Sequence, residues 1–333
     1  MEFIIADSNM EEIGFLTPFS NIDIDLGQET DFRLELELGD YDSELYSPGN
    51  MIFAPGTEYG GFLADPEVDT AQNTISFIGD TFRGLLKKKI IEPPKNAAHR
   101  VISGELNSCI SKLLKMHFTS LFTVADTATS VSVSNFQFDR YCTLYDGIVA
   151  MLASVNYKLK IEAATTAAGE IKIILAAVPT FDYSQSIEFS QDGNIDFKIK
   201  NQTAIYEYLI ALGSGELENR TVKYLKYNTD STVEEVTAIP TGNFTRVYLY
   251  DYSSVESDNE LVDSATKKLK EINSGNAQSI TLNNDAEGLE LGDIVGGRDY
   301  ITGLTIKAPV TNKIINIKNR IVSISYTVEG DEN

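Results

Sequence analysis

Asp31-Phe32-Arg33-Leu34-Glu35-Leu36-Glu37-Leu38 alternates strictly, with Phe32, Leu34, Leu36 and Leu38 in one set and Arg33, Glu35 and Glu37 in the other. A period of two places the apolar set on one face of a strand and the charged set on the other. Just upstream, Asn21-Ile22-Asp23-Ile24-Asp25-Leu26-Gly27 alternates in the same way. Gln28 to Thr30 lie between the two runs, so a hairpin is predicted. Further strands are predicted at Met51–Phe53, Tyr59–Leu63 and Thr74–Ile78. The turn residues Ser47-Pro48-Gly49-Asn50, Pro55-Gly56 and Asp65-Pro66 separate them. Many short strands with turns between them describe a small barrel or sandwich. Pro93-Pro94 interrupts any regular element, so this first β region is predicted to span 1–94.

Residues 95–200 mix helix and strand. Leu106, Ile110, Leu113, Leu114 and His117 recur at three- and four-residue steps and predict a helix over 105–118. Leu144, Ile148, Met151, Leu152 and Val155 predict a second, with Thr143 as its N-cap and Asp146 three residues on. Strands are predicted at Tyr157–Glu162, Glu170–Val178, Ile187–Phe189 and Ile195–Ile199. Residues 201–330 return to β structure, at Tyr206–Leu212, Thr221–Tyr227, Arg246–Tyr250 and Ser279–Leu282, then Ile294–Val295, Leu304–Lys307, Lys313–Ile317 and Ile321–Val328. One helix, Asn259–Ile272, interrupts them. Ser257 and Glu260 form its capping box, and Gly275 follows its end. The fold class is therefore α+β, mainly β: β, then α/β, then β.

The chain has 333 residues, 42% of them hydrophobic, enough for a substantial core and for more than one domain. Asp plus Glu number 49 against 27 Lys plus Arg, a formal net charge of −22. That charge favours solubility and repels nucleic acid phosphates and anionic membranes. It also suits a conduit through which DNA slides without sticking. The N-terminus, Met1 to Glu12, has no basic n-region, full apolar core or small-residue cleavage site, so no signal peptide is predicted. No apolar run approaches the ~20 residues of a membrane helix. Synthesis in the cytoplasm is the expectation.

No catalytic constellation stands out. His99 and His117 are the only histidines. His117 continues the apolar face of its predicted helix, as a satisfied imidazole would, and His99 has no visible partner. HExxH, CxxC and HxH are absent, so no metal site is expected. Cys109 and Cys142 sit in unrelated contexts and read as buried thiols. If Cys109 and His117 share a helix they stand about 12 Å apart along its axis, too far for a dyad. Cys142 could reach a histidine only through the tertiary fold. Asp139, Asp146 and Glu162 are as good a carboxylate set as any other among 49 acids, so none is singled out. Leu212-Gly213-Ser214-Gly215-Glu216 lacks the Lys-Ser/Thr of a phosphate loop and reads as a tight turn. Leu291-Gly292-Asp293-Ile294-Val295-Gly296-Gly297 reads as a strand entry followed by a turn. Sequons at Asn201, Asn219 and Asn243 read as chance occurrences. Lys87-Lys88-Lys89 reads as a solvated rim or local contact. No cofactor is predicted.

Three stretches resemble phage tail hub proteins, a family that includes the contractile-tail hub, the N-terminal part of tail-associated lysins and siphovirus Gp37-like proteins. The first is Tyr59 to Pro94, YGGFLADPEVDTAQNTISFIGDTFRGLLKKKIIEPP, which resembles the family's strand–turn–strand run and its closing "LL…R/K-I-I". Lys89 stands where many relatives have Arg. The second is IALGSGELENRTVKYL, similar to the family's "GxGEG…R" strand pair, and the third is LELGDIVGGRDYITGLTIKAPVTNKIINI, similar to its "LGDIV" segment. The resemblance implies two small β-barrels with α/β insertions: a first barrel at 1–94, an insertion domain at 95–200, and a second barrel with one helix at 201–330. It implies a homotrimer whose six barrels face a six-fold tail tube or distal tail protein, while the far side holds a three-fold spike or fibre. DNA would be passing cargo, and this chain would not insert into a membrane. The implied location is the tail tip or baseplate of a phage or bacteriocin-like particle. Larger relatives carry a C-terminal peptidase or lysozyme-like region, and Asn333 follows the LGDIV segment too closely for one, so no enzyme activity is expected. The alternatives are a tail-associated cell-wall hydrolase and a host-binding module.

Overall fold

The computed structural model describes residues 1–333 except 167–168, 185–187, 190–205, 231, 256, 275–277, 284–287, 299–300, 302–304, 320 and 331–333. The predicted strand Ile195–Ile199, the sequon at Asn201 and Gly275 lie outside the described residues. The chain forms two compact units. The first holds Met1–Ile187, Thr281–Val295 and Pro309–Thr327, and the second Glu188–Ile280, Gly296–Ala308 and Val328–Asn333. The sequence regions 1–94, 95–200 and 201–330 are a different division, drawn at turns and prolines rather than at contacts.

The first unit begins with β1 (Ile4–Ala6), β2 (Glu12–Phe15), β3 (Asn21–Asp25), β4 (Asp31–Glu37), β5 (Met51–Phe53), β6 (Gly60–Phe62), β7 (Pro66–Asp69), β8 (Thr74–Asp80) and α1 (Phe82–Lys87). It continues with β9 (Val101–Glu105), α2 (Leu106–Leu114), β10 (Phe122–Val124), β11 (Ser132–Gln137), α3 (Leu144–Ala153), β12 (Tyr157–Thr165) and β13 (Ile171–Pro179). The second unit contains β14 (Glu188–Phe189), β15 (Tyr208–Leu212), β16 (Val222–Tyr227), β17 (Val233–Val236), β18 (Val247–Asp251) and α4 (Asp258–Ser274). The closing stretch carries β19 (Gln278–Asn283), β20 (Ile294–Arg298), β21 (Thr305–Lys318) and β22 (Ile321–Gly330). The chain is mainly β, in several sheets, and no sheet closes into a barrel among the described residues.

The alternating run behaves as its pattern dictates: Phe32, Leu34 and Leu36 are fully buried. β3 and β4 form the predicted hairpin, paired from Asn21↔Glu35 to Ile24↔Phe32. The Asp25 carboxylate closes its turn by accepting the Gly27 and Gln28 N–H groups at 3.0 and 2.9 Å. β4 pairs with β8 on one side, and β3 pairs with the Ile314–Lys318 part of β21 on the other. β21 is one strand where the sequence predicted two. Pro309 removes a donor but keeps an extended φ, so the strand continues through it. A Cβ on Gly61 would lie 2.4 Å from Phe32 Cβ, and one on Gly79 1.7 Å from the Phe62 carbonyl oxygen. The two glycines thus let β6 lie directly against β4 and β8.

One hydrophobic core cluster of this unit joins both sides of Pro93-Pro94. Met51, Phe53, Phe82, Leu86 and Ile91 pack in one cluster with the apolar faces of α2 and α3 and with Leu159, Ile161, Ile173 and Leu175. α3 is capped as predicted: Thr143 Oγ1 accepts the Asp146 N–H at 3.0 Å and donates to the Asp146 carboxylate at 2.6 Å. α2 is shorter than predicted. Its apolar face is complete at Leu114, and Lys115 and Met116 are exposed, so nothing holds another turn. His117 therefore lies beyond the helix, and its N–H donates to the Leu114 carbonyl at 2.9 Å.

Glu105 caps α2. One oxygen accepts Ser108 N–H at 2.8 Å, and the other accepts Thr129 N–H at 2.9 Å and its hydroxyl at 2.7 Å. Burial acts to raise its pKa, but these bonds favour the charged form and hold it at about 2. A carboxyl depressed below its unfolded value contributes stability above pH ~4.5 that is lost as pH falls towards ~2. Glu105→Ala is expected to cost about 1 kcal/mol at neutral pH. Urea titrations at pH 7 and pH 3 check this: the difference between variant and parent shrinks at the lower pH.

In the second unit β17, β16, β15 and β18 form a sheet in that order, antiparallel except for the parallel pair β15–β18. α4 covers one face, with Leu261, Ala265 and Leu269 packed on Leu209, Ala211 and Leu225. Each of those buried leucines stabilises by about 1.5–3 kcal/mol relative to exposure. Ser257 Oγ accepts the Glu260 N–H at 3.3 Å, the N-cap bond of the predicted capping box. The Gly213–Gly215 stretch is the expected tight turn between β15 and β16. Gly215 has φ +100°, and a Cβ there would meet the Asn219 carbonyl oxygen at 2.4 Å.

Candidate functional site

The first unit contains a cavity of about 330 Å³ whose walls include Glu58, Tyr59, Lys158, Lys160, Phe181 and Glu290. Three pairings, each with at least one buried charge, surround it and join separate segments of the chain.

Arg83 is the centre of the first. Thr81 caps α1 by accepting the Gly84 N–H at 3.2 Å, which sets the helix so that Arg83 points inward. Arg83 is 3% exposed and Glu58 7%. The guanidinium binds both Glu58 oxygens, through Nε and, at 2.8 Å, through Nη2. Nη1 donates to the Tyr145 hydroxyl at 3.0 Å and Nη2 to the Leu159 carbonyl at 3.1 Å. Burial raises the Glu58 carboxyl, and Arg83 opposes that rise. Burial likewise disfavours the guanidinium cation, but Glu58 and Tyr145 together hold it more firmly protonated than a free arginine.

Asp293, 1% exposed, is the centre of the second. Its carboxylate pairs with Lys158 at 2.6 Å and accepts the Phe181 and Glu290 N–H groups, both at 3.0 Å. Lys158 Nζ also lies 5.7 Å from the centre of the Phe181 ring. Gly292, φ +88°, turns the chain into β20, which continues through Gly296 and Gly297. The predicted turn after Val295 is thus strand: Gly296 and Gly297 pair with Glu188 and Phe189.

Lys313 holds the third. It is 3% exposed, donates to the Leu289 carbonyl at 3.1 Å and the Glu290 carboxylate at 3.3 Å, and lies 5.4 and 5.5 Å from the Tyr59 and Tyr326 ring centres. Burial acts to lower its pKa, but Glu290 and the two tyrosines outweigh that and raise it. Chemically the arrangement fixes backbone. Arg83 occupies both Glu58 oxygens, and Asp293 and Lys313 each divide their bonds between a counter-ion and main-chain groups.

The residues weighed in the sequence lie elsewhere and are not brought together. Cys109 and Cys142 are free thiols, and burial pushes both thiol pKa values up, opposite to the shift an activated nucleophile needs. His99 Nδ1 sits 3.1 Å from the Phe138 carbonyl oxygen. Burial, with Lys89 nearby, lowers the His117 pKa. Asp146 belongs to the α3 cap, and Glu162 pairs with Lys160 at 2.8 Å. The lysine run makes local contacts. Lys87 donates to the Gly27 and Gln28 carbonyls at 2.8 and 3.0 Å, Lys88 pairs with Asp80 at 2.6 Å, and Lys89 lies over the Phe118 ring. Among the described residues no group of three His, Cys, Asp or Glu is placed to hold a metal ion. None of their helices is long and apolar enough to cross a membrane.

Glu58, Arg83, Lys158, Asp293 and Lys313 were not singled out from the sequence. The available signal was weak: Arg83 alone interrupts the run Phe82 to Leu86, and Asp293 follows the turn glycine of the LGDIV segment.

No family model and no curated protein matches the sequence. Solved structures match in fold. The chain is similar to the tail protein of Neisseria meningitidis MC58, at 13% identity over 99% of this chain and 96% of that one, with a TM-score of 0.50. It is similar to the 43 kDa tail protein of prophage MuSo2 from Shewanella oneidensis, at 12% identity over 98% of both chains, with a TM-score of 0.54. At these identities the likeness is one of fold.

Proposed function

We propose that this chain is a non-enzymatic structural tail-hub protein of a phage or phage-tail-like particle. It forms a trimeric ring that joins a six-fold tail tube to a three-fold spike or fibre. The observation that carries this reading is the fold likeness to two tail proteins along nearly the whole chain, at 99% and 98% coverage. The three stretches that resemble the hub family support it from the sequence side. Tyr59–Pro94 spans β6 to α1, Ile210–Leu225 the β15–β16 turn, and Leu289–Ile317 the Asp293 turn with β20 and β21. The two-barrel arrangement, the tube or distal tail protein above and the spike or fibre below belong to the same proposal, as does a place at the tail tip. The net charge of −22 suits a conduit for DNA as passing cargo. Closed rings of identical subunits are the common route to such symmetry.

Light scattering on the purified protein tests the ring. One chain is 36.7 kDa. The expected result is a species of about 110 kDa, or a mass that rises to that value with concentration. A mass of one chain at every concentration contradicts the ring.

A further inference from the structure

We infer that a second copy of this chain covers the face of the β17-β16-β15-β18 sheet that α4 leaves bare. The inference rests on the ring proposed above and names a surface that builds it. α4 packs on Leu209, Ala211 and Leu225, and successive residues of a strand point to opposite faces. Ile210, Leu212 and Tyr224 therefore lie on the face away from α4. Ile210 stands opposite Tyr224 on one side and Leu249 on the other, Leu212 opposite Val222, and Tyr208 opposite Val247. Val236 continues the row beside Tyr224. An apolar block thus crosses all four strands. Leu249 is 61% exposed, Val222 39% and Val247 38%. The turn from β15 to β16 adds Leu217, 93% exposed.

With strands ~4.8 Å apart and ~3.3 Å per residue, the block covers roughly 300 Å². A contiguous apolar patch of that size on a folded chain marks an interaction site. An apolar centre within a polar rim is also the usual anatomy of a protein interface. Charge selects the occupant. Each copy carries a net charge of −22, so two copies repel each other over most of their surface. On this face the charges cancel: Lys226 pairs with Glu234 at 3.3 Å, and Asp251 pairs with Arg220. A second copy can therefore approach here without setting its own acids against unpaired carboxylates of the sheet. Exposed apolar residues elsewhere do not offer this. Val68 on β7, 52% exposed, lies between Glu67 and Asp69. A strongly basic partner would be drawn to such acidic surface rather than to a neutral face.

Light scattering over a concentration series on three full-length proteins tests this: the parent, Leu249→Lys, and Val68→Lys as the control. Leu249 is exposed in the single chain, so a lysine there reaches water, and an unchanged circular dichroism spectrum checks the fold. Should that variant fail to fold, Val222→Lys takes its place. The expected result is that the parent and Val68→Lys assemble alike, while Leu249→Lys needs at least about tenfold more protein to reach the same mass, because assembly would bury its charge unpaired. Three results overturn the inference. If Leu249→Lys assembles like the parent, the ring stands on another surface and the bare face serves a different partner or none. If Val68→Lys loses assembly equally, the effect is one of charge anywhere on the chain. If the parent stays at the mass of one chain at every concentration, the ring itself fails and this surface with it.

Discussion

Glu58→Ala is expected to lower the stability of the first unit by about 3–5 kcal/mol, because it leaves the Arg83 guanidinium buried without its counter-ion. The guanidinium cannot escape by losing its proton. It keeps Tyr145 and the Leu159 carbonyl as neutral partners, which do not neutralise it. Removing both charges has a different outcome. Glu58→Met with Arg83→Met replaces a desolvated pair by apolar volume, a change that is often neutral or stabilising. The double variant is therefore expected to recover most of the loss. Urea denaturation followed by far-ultraviolet circular dichroism measures both, since the chain has no Trp to report by fluorescence. A single variant within 1 kcal/mol of the parent contradicts the pairing described here.

Asp293→Ala is expected to cost a similar ~3–5 kcal/mol, for a partly different reason. It strands Lys158 in a buried site and also removes the acceptor for the Phe181 and Glu290 N–H groups. Each orphaned donor adds a desolvation cost of about 1–3 kcal/mol where water cannot reach it. The distinguishing readout is local: amide exchange at Phe181 and Glu290 speeds up in Asp293→Ala and not in Glu58→Ala. Equal exchange in the two variants contradicts the separate roles assigned to the two pairings.

Local patterns were legible in the sequence, and pairings between distant segments were not. The 31–37 part of the run is a strand as read, because one face is buried and the other wet, while Leu38 leaves it for a short 3-10 turn. The α3 cap is read correctly because Thr143 and Asp146 satisfy each other three residues apart. α1 was missed because it is six residues long, contains Gly84 and ends at the first of three lysines, so it offers no full apolar stripe. β1 and β2 were missed as short strands, and the parallel pair β15–β18 because nothing local marks which strand lies beside β15. The charged cleft was illegible for the same reason. Arg83 meets Glu58 and Leu159, and Asp293 meets Lys158 and Phe181, only after folding. In sequence they are single charges among many. Pro93-Pro94 does interrupt secondary structure, but Ile91 and Leu106 pack in one cluster across it.

The central claim is that this chain is a hub with threefold symmetry at the end of a tail. Quantitative mass spectrometry of purified particles that carry it, scaled to the tail-tube protein, measures its copy number directly. The account predicts three copies per tail, and antibody labelling at one tail end in the electron microscope. Dozens of copies, or labelling along the length of the tube, would contradict it.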